Sequence, residues 1–503
     1  MIKIIREVTK EDLENWIYTI DENDSALYEE ANNPDKIGIF QLNGATAEKL
    51  CDEIKPENFD EVVAINAMAR PGPLETCAPH FVKRKSGEAS PYPDVVNKIL
   101  EDTHYTFLYQ EQIIETFHKV GGFTLEEADE VRGLMKKLSK AEKDPDDVKK
   151  WEKVVKKFVK GAAKEGIDES MAISISKDLA AFSGYSFNKA HAASYGYIAL
   201  ITLYLSKYFR KYFYSSVLTY ETDREKYLLD RISSVRKQGI EILPPDINKS
   251  KAHFSPDGNA IRLGLGDIKF VSESATNLIA ETRPFKSIFD FYLKTKSRTI
   301  TIKTIEALAS VGVFDCFYPE RKRLIQILKT FWENKKSIKI EEKLKDAYDK
   351  SVVSVEAIPA LDTTMADLIE YEKTFYGFKI FSTPFTNSLT EALTKMREQK
   401  LIYLVVDEIE ETSKKIPVLI NKIRSYTDRN GNEMGFMEVE DIYGVTISLP
   451  VFASYWKHIK YDLRTENIYL LNVYLGDRDN AIFGQREWTD NEFKIKRMVK
   501  KIE

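Results

Sequence analysis

The sequence predicts a multidomain protein in which a mostly α-helical region is followed by an all-β domain. Three observations carry that prediction. The 503 residues are enough for roughly three or four domains with sizeable cores. Up to residue 400, apolar residues recur at helical spacing between Gly, Pro and Asn stops. From residue 401 the pattern changes to period two, and Asn430-Gly431 marks a hairpin between two of the runs.

Composition narrows the function classes. Hydrophobic residues make up 43% and charged residues 30%, a soluble globular balance. A net charge of −5 excludes a uniformly basic nucleic-acid binder and leaves room for a local basic groove. Cys51, Cys77 and Cys316 have neither metal-ligand spacing nor a pairing pattern, which points to a reducing, cytoplasmic compartment. The first 30 residues lack a signal-peptide core. No run reaches the ~18 apolar residues of a membrane span. Residues 195–205 are too short and run into Lys207, Arg210 and Lys211, so no membrane partner is expected.

In order, residues 1–30 read as one or two helices, Lys36–Gly44 as a short strand closed by Asn43-Gly44, and residues 45–70 as helical. Pro71 and Pro73 then break the chain. Residues 139–165 read as a charged helix with a solvated face, and 168–182 as another helix. The stretch Phe182-Ser-Gly-Tyr-Ser-Phe-Asn-Lys-Ala-His-Ala-Ala-Ser-Tyr195 reads as a loop feeding a buried helix. Backbone N–H groups at such an entrance, with Lys189 and His191, suit a phosphate; a packed aromatic turn with surface cations fits the same residues. Residues 207–235 are basic and helical, and Leu243-Pro-Pro245 is a boundary. The Gly-x-Gly at 264–266 reads as a tight turn. Two short helices joined near Gly312 follow, then a Lys/Glu-rich segment over 333–350 and a linker over 352–364.

The period-two runs at 415–423, 434–441, 443–452 and 467–475, with others after 401, make at least five strands, and a helix is expected near 453–462. That is the pattern of an OB-fold, which binds single strands on aromatic platforms. Arg424, Tyr426, Arg429, Phe436 and Tyr443 are the candidates, although aromatics in such strands also serve as core.

The 182–195 stretch resembles Phe-Ala-Gly-Tyr-Gly-Phe-Asn-Lys-Ser-His-Ala-Ala-Ala-Tyr, a signature of the C-family DNA polymerases, the bacterial polymerase III alpha subunits. Further blocks resemble the same family in the same order: Gly38–Leu42, Lys55–Leu74, Tyr109-Gln-Glu-Gln112, Gly121–Arg132, Leu243–Asn248 and Glu370–Phe385. The chain departs from the family at Gly133, where a second arginine is usual, and Lys136 stands at or near a glycine position.

The resemblance implies a fingers domain over 1–235, a clamp-associated domain over 236–350 with a helix-hairpin-helix near 296–325, a linker and clamp-contact region over 351–400, and an OB-fold over 401–503. It implies binding of an incoming dNTP by Arg70, Gln110, Arg132, Lys136, Lys137, Tyr185, Asn188, Lys189, His191 and Tyr195. It implies contact with template-primer DNA through Arg321, Lys322, Arg323, Arg424, Tyr426, Arg429 and Phe436. The family's catalytic Asp-x-Asp strand has no counterpart: Asp21–Asp24 is a polar turn and Asp144–Asp147 a charged surface stretch. No catalytic residue or metal ligand is therefore assigned. Mg2+ is expected on a separate palm polypeptide, making this the fingers-to-OB portion of a split polymerase in preference to a fragment. The rival readings are a non-catalytic DNA-binding module and a scaffold that recruits a sliding clamp. For the latter, Thr364–Leu368 lies in the right region but lacks the glutamine and aromatic of a clamp peptide.

Overall fold

The computed structural model describes residues 17–138, 144–182, 184, 186–295, 298–333, 362–382, 385, 387–403, 408–410, 412–427, 431–442, 445–476, 481–484 and 499–502. The chain packs as two units, residues 1–214 and 215–503.

Unit one is helical. Its elements are α1 (Ser25–Ala31), α2 (Ala45–Ile54), α3 (Phe59–Met68), α4 (Pro71–Thr76), α5 (Ala78–Lys85), α6 (Asp94–Asn97), α7 (Gln110–Lys119), α8 (Leu125–Leu138), α9 (Pro145–Lys164), α10 (Glu169–Phe182) and α11 (Lys189–Tyr208). Helix α12 (Arg210–Thr219) carries the boundary. Side-chain caps set several starts: Asp24 accepts from Ala26 N, Asn58 from Glu61 N, Asp144 from Asp146 N and Asn188 from His191 N. Helix α11 packs on α1 and α3, and Gly196 permits it, because a Cβ there would stand 2.6 Å from Val63 Cγ2.

One expectation is corrected. Residues 36–44 form turns and no strand. Gly38 (φ 77°) and Gln41 (φ 60°) lie in the left-handed region, which an extended run excludes. Ile39 N donates to Lys36 O and Leu42 N to Ile39 O, so the segment buries Ile37, Ile39 and Leu42 by curling. Residues 45–70 are helical as expected, in two helices. Lys55, at φ 52° and before Pro56, ends α2, and α3 restarts at the Asn58 cap.

Unit two continues with α13 (Arg224–Lys237) and a three-stranded sheet in the order β1 (Ile242–Leu243), β3 (Ala260–Arg262), β2 (Ser255–Asp257). Then come α14 (Glu273–Thr282), α15 (Ile288–Thr295), and α16 (Ile302–Ser310) packed on α17 (Arg321–Glu333). Gly312, at φ 84°, makes the turn between that pair. Helix α18 (Met365–Phe375) starts at Thr364, whose hydroxyl accepts from Asp367 N, so Thr364–Leu368 is a capped first helical turn. Helix α19 (Asn387–Glu398) follows. Most of the 333–350 segment and of the 352–364 linker falls outside the described residues.

The all-β domain is a six-stranded sheet in the order β6 (Thr446–Val451), β5 (Glu433–Glu440), β4 (Lys414–Thr427), β7 (Ile468–Leu475), β8 (Ala481–Phe483), with β9 (Val499–Lys501) also on β7. Strand β4 pairs β7 through residues 414–419 and β5 through 419–427, so one long strand bends from one side of the sheet to the other. Edge strands β6 and β8 approach each other and nearly close a barrel. Its core holds Val418, Ile420, Met437, Val439, Leu471 and Trp456, the last from α20 (Ala453–Ile459). This is an OB-type architecture, with the helix and hairpin where the sequence predicts them. Among the described residues, no helix is long and apolar enough to cross a membrane.

Helix α9 is held by a backbone contact. A Cβ on Gly161 would stand 2.0 Å from Gly121 O. Gly161→Ala is therefore expected to lower stability by about 1–3 kcal/mol, as overpacking does. Denaturant unfolding checks it, and an unchanged midpoint would contradict this packing.

Candidate functional site

The 182–195 stretch is positioned by a short backbone ladder. Phe187 N donates to Leu108 O (3.1 Å) and Gln110 N to Phe187 O (2.8 Å), pairing two segments far apart in sequence. Beside it, Glu111 accepts from Asn188 Nδ2 (2.8 Å) and from Lys189 N (2.9 Å). These bonds set the N-terminus of α11 against that of α7.

Most of the nucleotide candidates converge there. Gln110 donates through Nε2 to Ser186 O (3.2 Å), and its Oε1 accepts from Arg132 (3.4 Å). Arg132 also pairs with Asp129 on its own helix at 2.8 Å. The Arg70 guanidinium lies over the Phe187 ring, 3.9 Å from its centroid. His191, exposed, stacks between Phe187 (5.5 Å) and Tyr195 (4.4 Å), and Tyr195 leans on Phe40. Lys189 Nζ stands 2.7 Å from Asp102 and 5.7 Å from the Tyr109 ring centroid.

Two placements differ from expectation. The amides of Lys189 and His191 already donate to Glu111 and Asn188, so those two backbone groups are not open to a phosphate. Lys137 is not part of the cluster. It lines a groove between α8 and α9 with Leu134, Lys150 and Lys153. Five residues beyond Arg132, it lies about 140° around the helix. Tyr185 and the side chain of Lys136 lie outside the described residues.

The acids of the cluster were missed by sequence reasoning. Asp102 carries no motif, while Asp60 lies inside the Lys55–Leu74 block and Glu111 inside the Tyr-Gln-Glu-Gln block, and their roles become visible only once the segments stand together. Burial, then the charge of Asp102, pushes the Asp60 carboxyl up. Burial, then Asp60 and Asp102, pushes the Tyr109 phenol well up. The cleft is thus a balance of carboxylates and cations. Among the described residues no group of three or more His, Cys, Asp or Glu side chains is arranged to hold a metal ion.

In unit two, Arg321 is turned inward. It pairs with Asp315 (2.7 Å) and donates to Ser310 O (3.2 Å), bracing the Gly312 turn. Lys322 pairs with Asp367 at 3.0 Å, and Arg323 is half-buried. On the β-domain the outcome is different. A register shift between Ile420 and Lys422 turns Lys422, Arg424 and Tyr426 outward together. Arg424 stands opposite Phe436, and Lys422 opposite Glu438. With Ser425 and Ser448 they line an open groove of about 420 Å³, in which Tyr426 is 59% exposed. Arg429 and Tyr443 lie outside the described residues.

The loop carrying Asp102 is anchored by Glu61. Its carboxylate, only 3% exposed, meets His104 Nε2 and Lys85 Nζ, each at 2.8 Å. Burial alone would raise this carboxyl, but His104, Lys85 and the Glu57 amide together hold it below its usual value. Glu61→Gln is expected to cost about 1–3 kcal/mol. Because the folded value is depressed, the stabilisation is present above the ordinary value of 4.5 and lost as pH falls through the lower folded value. Unfolding of the wild type and of Glu61→Gln across acidic pH checks this, and the two curves should converge at low pH.

Comparison with known proteins agrees with this layout. Residues 1–166 match the model of the bacterial DNA polymerase III alpha subunit finger domain, and residues 239–324 match a helix-hairpin-helix motif, a wider span than 296–325. The DNA polymerase III alpha subunit of Aquifex aeolicus is 30% identical over 493 residues, covering 95% of this chain and 40% of that protein. The Campylobacter jejuni subunit is 32% identical, covering 93% of this chain and 39% of its own length. The Staphylococcus epidermidis subunit is 29% identical, covering 93% and 43%. The chain thus spans about two fifths of the curated relatives it matches. The finger-domain and helix-hairpin-helix matches, in that order, and relatives aligned over most of the chain identify it as a member of the DNA polymerase III alpha family that corresponds to a C-terminal portion of the subunit.

Proposed function

We propose that this chain supplies the nucleotide-binding fingers and DNA-holding modules of a replicative DNA polymerase and works with a separate palm polypeptide. The observation that carries the reading is that Glu111 and the Tyr109–Phe187 bridge gather the cations Arg132 and Lys189, with the His191 ring beside them. Arg70 and Gln110 shape its wall. Magnitudes favour exchange of partners at this cleft. The side chains of Lys189 and Asp102 are 38% and 54% exposed, and such a pair is worth roughly 0–1 kcal/mol. A charge-assisted bond to a phosphate is worth about 1.5–3 kcal/mol. An arriving triphosphate therefore displaces Asp102 from Lys189 at little cost. Arg132 and Lys189 then face charge that grows on the leaving pyrophosphate.

Mg2+ supplies Lewis-acid chemistry in such reactions. The described residues offer no cluster to hold it, so the proposal assigns the ion to the palm partner and routes no step of this chain through it. The β-domain groove is assigned to single-stranded template, with Tyr426 and Phe436 as stacking surfaces and Lys422 and Arg424 as phosphate partners. This reading places the protein in the cytoplasm.

The pure chain is expected not to extend a primer. With a palm polypeptide added, Lys189→Ala and Arg132→Ala should each lower nucleotide use roughly tenfold to a hundredfold, with DNA affinity nearly intact. Steady-state extension at limiting nucleotide decides it, and variants that match the wild type would refute the assignment. Separately, Tyr426→Ala should weaken oligonucleotide binding by about 1–3 kcal/mol. Fluorescence anisotropy at low salt measures that loss, and unchanged affinity would remove the sheet face from the proposal.

A further inference from the structure

Helix α9 carries seven lysines in sixteen residues: Lys149, Lys150, Lys153, Lys156, Lys157, Lys160 and Lys164. At 3.6 residues per turn all seven fall within an arc of ~120°, a stripe about 22 Å long. The residues that bury α9, Phe158, Gly161 and Ala162, lie outside that arc. All seven lysines are exposed.

A charged helix face is usually a solvated one with alternating signs. This one is not alternating. Within α9 the acids are Asp146 and Asp147 in the first turn, where they suit the helix dipole, and Glu152 on the flank. Asp146 and Asp147 pair with Lys149 (3.8 Å) and Lys150 (3.4 Å), and Glu127 of α8 pairs with Lys157 (2.6 Å). Among the described residues, Lys153, Lys156, Lys160 and Lys164 have no ion-pair partner within 4.0 Å. The chain as a whole carries −5, so a one-signed cationic row is a local feature kept against the overall balance. The groove beside it adds Lys137, with Glu127, Glu130 and Asp147 as its opposing charges.

We propose that this stripe is a track for the phosphate backbone of single-stranded DNA, separate from the cleft at α11. Charge complementarity names a polyanion. The shape names a single strand, because a flexible backbone can lie along a straight, narrow row. The two backbones of a duplex wind away from a straight rod and would meet only part of it. The inference rests on reading the chain as a DNA-handling protein.

The test uses the full chain carrying Lys153→Gln, Lys156→Gln, Lys160→Gln and Lys164→Gln together. Gln matches Lys in helix propensity, so circular dichroism should be unchanged. Binding of a labelled oligo(dT), and of a duplex of equal length, is followed against salt in wild type, the quadruple variant and Tyr426→Ala. Each lost single-strand contact removes about 0.7 from the slope of log affinity against log salt. The expected result is a slope shallower by roughly 2–3 in the quadruple variant and an affinity at least tenfold lower at low salt, with Tyr426→Ala weakening binding at unchanged slope. A quadruple variant with wild-type slope and affinity overturns the stripe, and the sheet-face reading then stands or falls on Tyr426→Ala alone. A slope loss with a silent Tyr426→Ala upholds the stripe and removes the sheet face. A wild type that prefers the duplex, with the quadruple variant losing that preference, also overturns the single-strand assignment.

Discussion

Where the N-terminus of α11 stands is decided by the ladder between Leu108–Gln110 and Phe187 and by the Glu111 carboxylate beside it. Everything in the cleft depends on that junction. Arg70, Gln110, Arg132 and Lys189 come from four separate segments and have no reason to meet otherwise. The junction also determines how a phosphate can be held. Glu111 and Asn188 use the amides of Lys189 and His191, which leaves the work to side chains.

Support and site differ in burial. Beneath the cleft the groups are buried and satisfied. Gln112 Oε1 accepts from Leu108 N and Tyr109 N, both at 2.8 Å, and its Nε2 donates to Thr103 Oγ1. Glu61 holds His104, two residues from Asp102. Such bonds are costly to break in a low-dielectric interior. At the rim, the Arg132–Asp129 and Lys189–Asp102 pairs are partly or well exposed and cheap to exchange. A rigid frame with replaceable surface partners suits the exchange of a polyanion proposed for this cleft.

The β-domain was largely legible because its signals are local. Period-two runs, the Gly431 turn and the helix after β6 fall where the sequence predicts, since alternation reports directly on a half-buried sheet. The register shift after Ile420 was not legible. It adds no distinctive residue, yet it is what turns Arg424 and Tyr426 outward together. Residues 36–44 misled because Ile-Gly-Ile-Phe-Gln-Leu alternates like a strand while Gly38 and Gln41 adopt left-handed backbone.

The site was legible as a set of motif blocks and illegible as a geometry. The family blocks brought Arg132, Lys136 and Lys137 forward together, although helical angle alone separates Arg132 from Lys137. Asp102 lies outside every block, and Asp60, inside the Lys55–Leu74 block, is not marked there as a site residue. Ordinary surface acids look the same wherever they fall, and only the fold brings these two beside Lys189 and Tyr109. Gly161, which presses α9 onto Gly121, is a close-packing requirement inside a helix that reads in sequence only as a charged, solvated one.

The central claim is that the α7–α11 junction builds the triphosphate site. Hydrogen–deuterium exchange tests it most directly, on this chain combined with the proposed palm polypeptide and primer-template, with and without the next deoxynucleoside triphosphate. Added protection is predicted over residues 186–195 and 110–119, with residues 145–164 of α9 unchanged. Nucleotide-dependent protection confined to other segments would contradict the account.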